Sequence, residues 1–412
     1  MYSNLKEFNP NTSPEANFLI SCTKRNLDLE KSNSTLQINM NWEYLFNLAY
    51  KNRMIPLLYF NLINNKDTNI PEQYLNLMKE YCEKSSKQNL FLSQELLKII
   101  NLLRINNIDA LYIKGPIMTS NIYQNLALRE FGDLDILIHQ NDFSKIKKIF
   151  LSHGYQIEHN LNSWQENLYV KNHYQITFQN KIGVNLDIHW CLTPKYLNQS
   201  FSWDKLLKNT IEIDFYNEKV KTLSTEYLLI YLCVHGSKDL WKELRALTDI
   251  YELINSTQNL NWGIILKTAK EFKVLKMVYL GILLTNLIYG AKIPNKIMHE
   301  IQSKNDLIKI APNIYSNFFT LAEHNISISK QLLFHTKLLD TFIDKIRYSI
   351  YLGILPTIND WKCVSLPKHL NTLYYFIRPF RLFKKYSAKF ISSKYDLVNP
   401  HKNEQKELQL KN

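Results

Sequence analysis

The sequence predicts an α+β fold, a small mixed sheet with helices set within a largely α-helical chain of 412 residues. Three observations predict it. Residues 133–138 and 174–190 alternate between polar and apolar at the period of a half-buried strand. A short β-prone run over 108–113 precedes them and ends in a Lys-Gly-Pro turn. On either side, from Trp42 to Leu103 and again after Phe201, apolar residues return at helical spacing.

The elements follow in order. Residues 1–39 carry no strong period and are only loosely assigned. Trp42, Leu45, Phe46 and Ala49 share one helical face, and residues 55–63 continue the pattern. Pro71 suits the first turn of a long helix whose apolar positions run from Leu75, Met78 and Tyr81 to Leu96, Leu97 and Ile100. Ile108 to Ile113 reads as a strand, followed by Lys114, Gly115 and Pro116 and then a helix over 117–126. A glycine at such a turn lets backbone approach a phosphate closely. Pro116 suits the first helical position, whose free N–H groups attract anions, and Lys114 adds a positive charge there.

Asp133 and Asp135 lie at i and i+2 in Arg129-Glu-Phe-Gly-Asp-Leu-Asp-Ile-Leu-Ile138. They leave one face of a strand while Leu134, Ile136 and Ile138 leave the other. Carboxylates held side by side raise each other's pKa unless a cation sits between them. Oxygen ligands of this kind suit Mg²⁺, or Mn²⁺ in its place. A helix over 141–153 follows, and then a hairpin with its turn near 180–183. On its second strand Val184, Leu186 and Ile188 point one way, and Asn185, Asp187 and His189 the other. Asp187 supplies the third carboxylate that a two-cation centre needs. His189, beside Trp190, reads as structural before catalytic.

In this order of pieces the chain resembles the nucleotidyltransferase superfamily with the DNA polymerase β-like palm. More narrowly it is similar to the bacterial family of uncharacterised nucleotidyltransferases. The resemblance rests on Leu111-Tyr-Ile-Lys-Gly115, on the Arg129 to Ile138 segment and on Leu186-Asp-Ile-His-Trp190. It extends to His235-Gly-Ser-Lys-Asp-Leu-Trp241 with Leu244 and Asp249, and to the late segments 356–361 and 378–383. The resemblance implies that Asp133, Asp135 and Asp187 are metal carboxylates and that Lys114 and Gly115 form the nucleotide loop. It also implies nucleotide contacts from Arg129, His235, Lys238 and Asp249, with Lys238 on phosphate. The donor it implies is an NTP, ATP in the first place. One departure stands out: the superfamily usually has Gly-Gly or Gly-Ser at the turn, where this chain has Lys-Gly-Pro.

The implied mechanism uses Asp133 and Asp135 for the Mg²⁺ that bridges the triphosphate and Asp187 for a second Mg²⁺ and for the acceptor proton. Lys114 or Lys238 stabilises the developing charge. The alternative is a catalytically silent protein that holds a nucleotide or partner in the same cleft. The sequence does not name the acceptor.

The helical period after Phe201 covers 225–233, 241–253, 262–272 and 276–289, with Asn305-Asp306 and Asn359-Asp360 as later turn signals. Four regions are expected: an N-terminal helical region over 1–105, the palm over 106–200, a helical domain completing the cleft over 201–300, and a basic helical region with a tail over 301–412. The net charge is +13. It is concentrated after Cys363, where ten Lys or Arg stand against three Asp or Glu. Aromatics mix with base over 374–386, which suits RNA or an acidic membrane surface. The plainer expectation is a helix with its aromatics on the body and its lysines in water. The five scattered cysteines have no zinc spacing and point to a reduced cytoplasmic compartment. The opening lacks the basic start and apolar core of a signal peptide, so none is expected. The longest apolar run, Met277 to Tyr289, falls short of the ~20 residues that span a bilayer.

Overall fold

The computed structural model describes residues 13–25, 40–64, 70–159, 161–194, 202–321 and 327–385. The chain divides into two compact units, Met1–Asn160 with Asn172–Thr341, and Leu161–Lys171 with Phe342–Asn412. The first unit therefore gathers the expected N-terminal helices, the sheet and the following helical region into one body.

Helix α1 (Pro14–Cys22) lies where the sequence carried no period, and the Ser13 side chain caps it by accepting from the Ala16 N–H at 3.2 Å. Helix α2 (Trp42–Lys51) is capped the same way by Asn41, and α3 (Ile55–Asn64) follows. The long α4 (Glu72–Ile105) begins after Pro71 and buries Met78, Leu92, Leu96, Ile99, Ile100 and Leu103 along one face. Its buried Asn89 donates to the carbonyls of Leu126 (2.7 Å) and Arg129 (2.9 Å) and so fixes the loop that feeds the central strand.

The five-stranded sheet has the order β1-β2-β5-β4-β3, with β1 (Ala110–Tyr112), β2 (Asp133–Ile138), β3 (Gln156–Ile157), β4 (Gln175–Gln179) and β5 (Asn185–His189). β2 and β5 pair in parallel and the other pairs are antiparallel, so the sheet is mixed as expected. Leu134, Ile136, Leu186, Ile188 and Phe178 form its buried face. Helix α5 (Gly115–Met118) is a single turn at the end of β1, and α6 (Phe143–Ser152) follows β2. Phe150 of α6 meets Phe178 edge-on at 5.3 Å, which leaves the polar face of the sheet free for the site.

Several expectations are corrected. The helix expected over 117–126 is α5 continued by a π turn (Thr119–Tyr123) and then a 3₁₀ turn (Leu126–Leu128). Residues 210–223, within the region expected to be a helical domain but given no element of their own, form the hairpin β6 (Thr210–Phe215) and β7 (Glu218–Leu223). Its turn residues Tyr216 and Asn217 both have positive φ, 48° and 66°, as a two-residue hairpin turn requires, without the glycine that would have signalled it. Asn305 and Asp360 start helices instead of breaking the chain. Asn305 opens the helix Asn305–Phe318, and Asp360 completes a capping box with Thr357 at the start of Ile358–Cys363.

After the hairpin come α7 (Thr225–Lys238), α8 (Arg245–Ser256), α9 (Trp262–Glu271) and α10 (Leu275–Tyr289). Two glycines decide how α7 and α10 meet. A Cβ on Gly236 would lie 2.4 Å from the Trp241 ring, and one on Gly281 3.1 Å from the same ring. The buried indole fills the space that both leave.

In the second unit, α11 (Phe342–Ile354), α12 (Ile358–Cys363) and a helix over residues 374–385 are tied to one buried carboxylate. Asp360 accepts from Arg381 Nε (2.5 Å), Arg378 Nη1 (3.1 Å) and both the N–H and hydroxyl of Thr357 (2.7 Å each). Arg378 also donates to the Leu352 carbonyl (2.6 Å). Two of the arginines in the expected basic surface are therefore internal ties. The aromatics meet the plainer expectation only in part, because Tyr374 is buried while Phe376, Phe380 and Phe383 are exposed. The polar tail from Asn399 lies outside the described residues.

Candidate active site

The polar face of the sheet brings the carboxylates together through strand register. Asp135 stands opposite Asp187 on the parallel neighbour, and Leu137 opposite His189. Matched alternation points Asp135 and Asp187 to the same side. β4 adds Gln175 opposite His189 and Thr177 opposite Asp187. The Asp187 carboxylate accepts from Gln175 Nε2 (2.9 Å) on one oxygen and from Thr177 Oγ1 (2.5 Å) on the other. Asp135 is buried, with its Oδ1 2.9 Å from His189 Nε2. Ligand atoms of Asp135, Asp187 and His189 lie within 4.8 Å of one another, close enough to hold a metal ion. Asp133 is not part of that trio and stands at the exposed first position of β2.

These carboxylates act on one another. The charge of Asp135 raises the pKa of Asp133, and Lys114 opposes it. Asp135 moves the other way. Burial resists its charge, but the His189 hydrogen bond and the Lys114 charge bring it down to about 2.

Lys114 is held beside them by Gly115. Gly115 has a φ of +57°, and a Cβ there would sit 3.2 Å from the Asp133 carbonyl oxygen. The turn is thus pressed against the start of β2, where only glycine combines that backbone with that closeness. The Lys114 ammonium lies 5.5 Å from the centre of the Tyr231 ring. Burial lowers its pKa to about 8, while Asp135 pulls it up and Lys238 pushes it down.

The opposite wall of the cleft comes from the end of α7, the turn after it and the start of α8. The cleft encloses about 580 Å³ and is lined by Lys114, Gly115, Asp133, Asp135 and Asp187 on one side and by His235, Lys238 and Asp239 on the other. His235 Nδ1 lies 3.1 Å from Asp239 Oδ2, and burial holds the His235 pKa well below the usual histidine range. Lys238 lies 3.3 Å from the Tyr174 hydroxyl and 3.4 Å from Asp239. Leu240 and Trp241 turn the chain sharply with positive φ (61° and 52°), and the buried Trp241 anchors that turn between α7 and α10.

Arg129 and Asp249 line the same cleft but bind each other. Arg129 donates from Nε at 2.7 Å and from Nη2 at 2.9 Å to the two oxygens of Asp249, and Tyr123 OH donates to Oδ1 at 2.7 Å. Burial works against the Arg129 charge, but the Asp249 carboxylate outweighs it and raises the pKa. The pair ties the loop before β2 to α8.

The sequence reading missed Gln175 and Thr177, which share the alternation already used for Asp187 and were legible in the same way. It also missed Arg53, Glu243 and Arg245. Glu243 bridges Arg53 (3.0 Å) and Arg245 (2.9 Å), a meeting of distant segments that no local pattern announces.

A family model described as uncharacterised nucleotidyltransferase matches residues 39–290. Among solved structures, the chain is similar to the lincosamide antibiotic adenylyltransferase LnuA in its lincomycin-bound form. The identity is 19%, covering 40% of this chain and 97% of that one, at a TM-score of 0.30. It is also similar to an antigenic nucleotidyltransferase-like protein from Paracoccidioides brasiliensis, at 17% identity, 52% and 98% coverage, and a TM-score of 0.34. No curated protein matches. The family match spans more than half of the chain, including the whole sheet and its cleft, and the protein belongs to the uncharacterised nucleotidyltransferase family.

Proposed function

We propose that the chain moves a nucleoside monophosphate from an NTP, ATP in the first place, to an acceptor hydroxyl in the cleft, with a divalent cation held by Asp133, Asp135 and Asp187. One observation carries the reading: Asp135 and Asp187 oppose each other on adjacent parallel strands, facing a cleft that also holds Lys114 and Lys238. The donor set fits a hard cation, since it offers carboxylate oxygens and the charge of Asp135 already raises the pKa of Asp133. Bound there, Mg²⁺ or Mn²⁺ neutralises the triphosphate and polarises the phosphorus under attack.

The chain's own residues do the rest. His189 holds one oxygen of Asp135, leaving the other for the ion, and fixes the carboxylate's orientation. Gln175 and Thr177 orient Asp187, which takes the proton of the acceptor hydroxyl. Lys114 and Lys238 meet the phosphates from opposite walls and stabilise the charge that grows on the leaving pyrophosphate. Arg129 and Asp249 act through the fold, by fixing the loop that carries Asp133 against α8.

The test supplies each of the four α-labelled nucleotides with Mg²⁺ or Mn²⁺, using wild type and Asp135→Asn, to extract fractionated into protein, RNA and small molecules. Label in one fraction, made by wild type alone, is the expected outcome and names the acceptor class. Nucleotide bound without any label transferred would overturn catalysis and leave the silent binding protein.

A further inference from the structure

The second unit presents two apolar helix faces that nothing in the proposed chemistry uses. On α11, Phe342, Ile346 and Ile350 follow at intervals of four, with Ile343 and Ile354 beside them, and all are exposed. Phe342 is 76% and Ile343 67% exposed. Asp344 and Tyr348 are buried on the other side of the same helix. Over residues 374–385, Phe376, Phe380 and Phe383 are 76%, 73% and 73% exposed, while Tyr374 and Arg378 are buried. In each helix the residues that hold the unit together point inward and the large apolar side chains point out. Large apolar side chains grouped on exposed helix faces in this way are seldom left without a partner.

Charge selects the partner. Residues 342–385 carry eight Lys or Arg against two acids, Asp344 and Asp360. Both acids are bound to arginines, Asp344 to Arg347 and Asp360 to Arg378 and Arg381. The surface is therefore apolar and positive together. A second copy would bring the same excess of positive charge to the interface and be repelled. RNA would find a base-stacking plane in the phenylalanines but none in the four isoleucines of α11. Among the described residues no helix is long and apolar enough to cross a membrane, so the faces suit the interfacial layer.

We propose that this unit docks on an anionic phospholipid surface, with Phe342, Ile346, Phe376 and Phe380 entering the acyl boundary and the lysines of the unit meeting head-group phosphates. The inference does not depend on the transfer chemistry.

The full-length protein is sedimented with vesicles of phosphatidylcholine and phosphatidylglycerol in equal parts, and with phosphatidylcholine alone. Sedimentation with the anionic vesicles, weakened by salt and at least about tenfold weaker on neutral ones, is expected. F376S/F380S/F383S, with unchanged helical circular dichroism, is expected to lose about tenfold or more in partitioning. If that variant loses helicity, the single Phe380→Ser and Phe342→Ser variants replace it. Unchanged partitioning of the folded variants overturns the proposal, as does a wild-type protein that stays in solution with anionic vesicles. So does a dimer that dissociates in these variants without lipid, which would assign the faces to a second copy. An RNA complex lost in the same variants, with vesicle binding absent, overturns it in favour of RNA.

Discussion

Asp135 and Asp360 are both buried carboxylates held below the usual carboxylate range, yet they are surrounded differently. Burial opposes the charge of Asp360, but Arg381, Thr357 and Arg378 supply hydrogen bonds to both of its oxygens, including two guanidinium ions. Asp135 is hydrogen-bonded to the His189 imidazole and has a second carboxylate opposite it in register. Asp133, two residues away, is raised by the Asp135 charge. A carboxylate enclosed by fixed cations holds structure together. Carboxylates crowded on one sheet face, with one partly buried lysine near them, form a place that a mobile cation stabilises. Arg129 and Asp249 repeat the first arrangement inside the cleft, so the same wall contains both kinds of charge.

The comparison is sharpest at its two carboxylates. Asp135→Asn is expected to cut nucleotidyl transfer by at least about 10³-fold while leaving thermal stability nearly unchanged, because relief of the repulsion with Asp133 offsets the lost attraction to His189 and Lys114. Label transfer and a melting curve on the same sample check it, and retained transfer would remove Asp135 from the metal assignment. Asp360→Asn is expected to do the opposite. It leaves Arg378 buried without its carboxylate and costs about 3 kcal/mol of stability, measured by denaturant unfolding. The pH signs differ too. The Asp360 pKa is lowered, so its contribution is present above the ordinary carboxyl pKa and is lost as pH falls through the folded value. Asp133 is raised, so its charge costs stability above that pKa and the cost is relieved as pH falls.

The crowded carboxylates were legible in the sequence and the cation-enclosed one was not. Asp133, Asp135 and Asp187 sit in strands whose two-residue alternation states which side chains share a face, although β2 is buried from Leu134 to Ile138 and its burial does not alternate. Register is a further fact: that Asp135 meets Asp187, with Thr177 on the other side, depends on strand order, which no single strand carries. Asp360 looked like part of a turn because Asn359-Asp360 is a turn signal in isolation. Its partners Arg378 and Arg381 lie 18 and 21 residues on, and their distance in sequence made them read as surface charge. The hairpin over 210–223 went unread for a related reason, since Tyr216 and Asn217 turn the chain without glycine and the strands on either side are half exposed. Asn89, which fixes the loop before β2, is one polar residue in a long helix, and its purpose exists only in the folded chain.

His189 stands between the two arrangements. The sequence read it as structural, and in the fold it is a buried residue bound to a site carboxylate. If it orients Asp135 for an ion, His189→Leu lowers Mn²⁺ affinity of the nucleotide complex by about 10- to 100-fold with the fold retained. A Mn²⁺ titration followed by paramagnetic relaxation of water reads this directly. Unchanged affinity in a folded variant would return His189 to a packing role.

Lys114 tests the comparison at its weakest point, as a cation beside the crowded carboxylates. Burial first, then the charges around it, leave its pKa at about 8, so it is protonated below that pH and neutral above it. If its charge meets the triphosphate, NTP affinity falls by about tenfold as pH rises through about 8. Lys114→Arg, whose guanidinium stays charged, is expected to remove that fall, and Lys114→Met to give the weaker affinity at every pH. Stability moves in the other direction. The unfolded chain holds this proton up to its ordinary pKa of about 10.4, so between about 8 and about 10 the unfolded state binds more protons and stability rises with pH. Binding that weakens while the fold strengthens over one pH interval separates a lysine kept for its ligand from one kept for its fold. Affinity without any pH dependence in wild type would place the triphosphate elsewhere in the cleft.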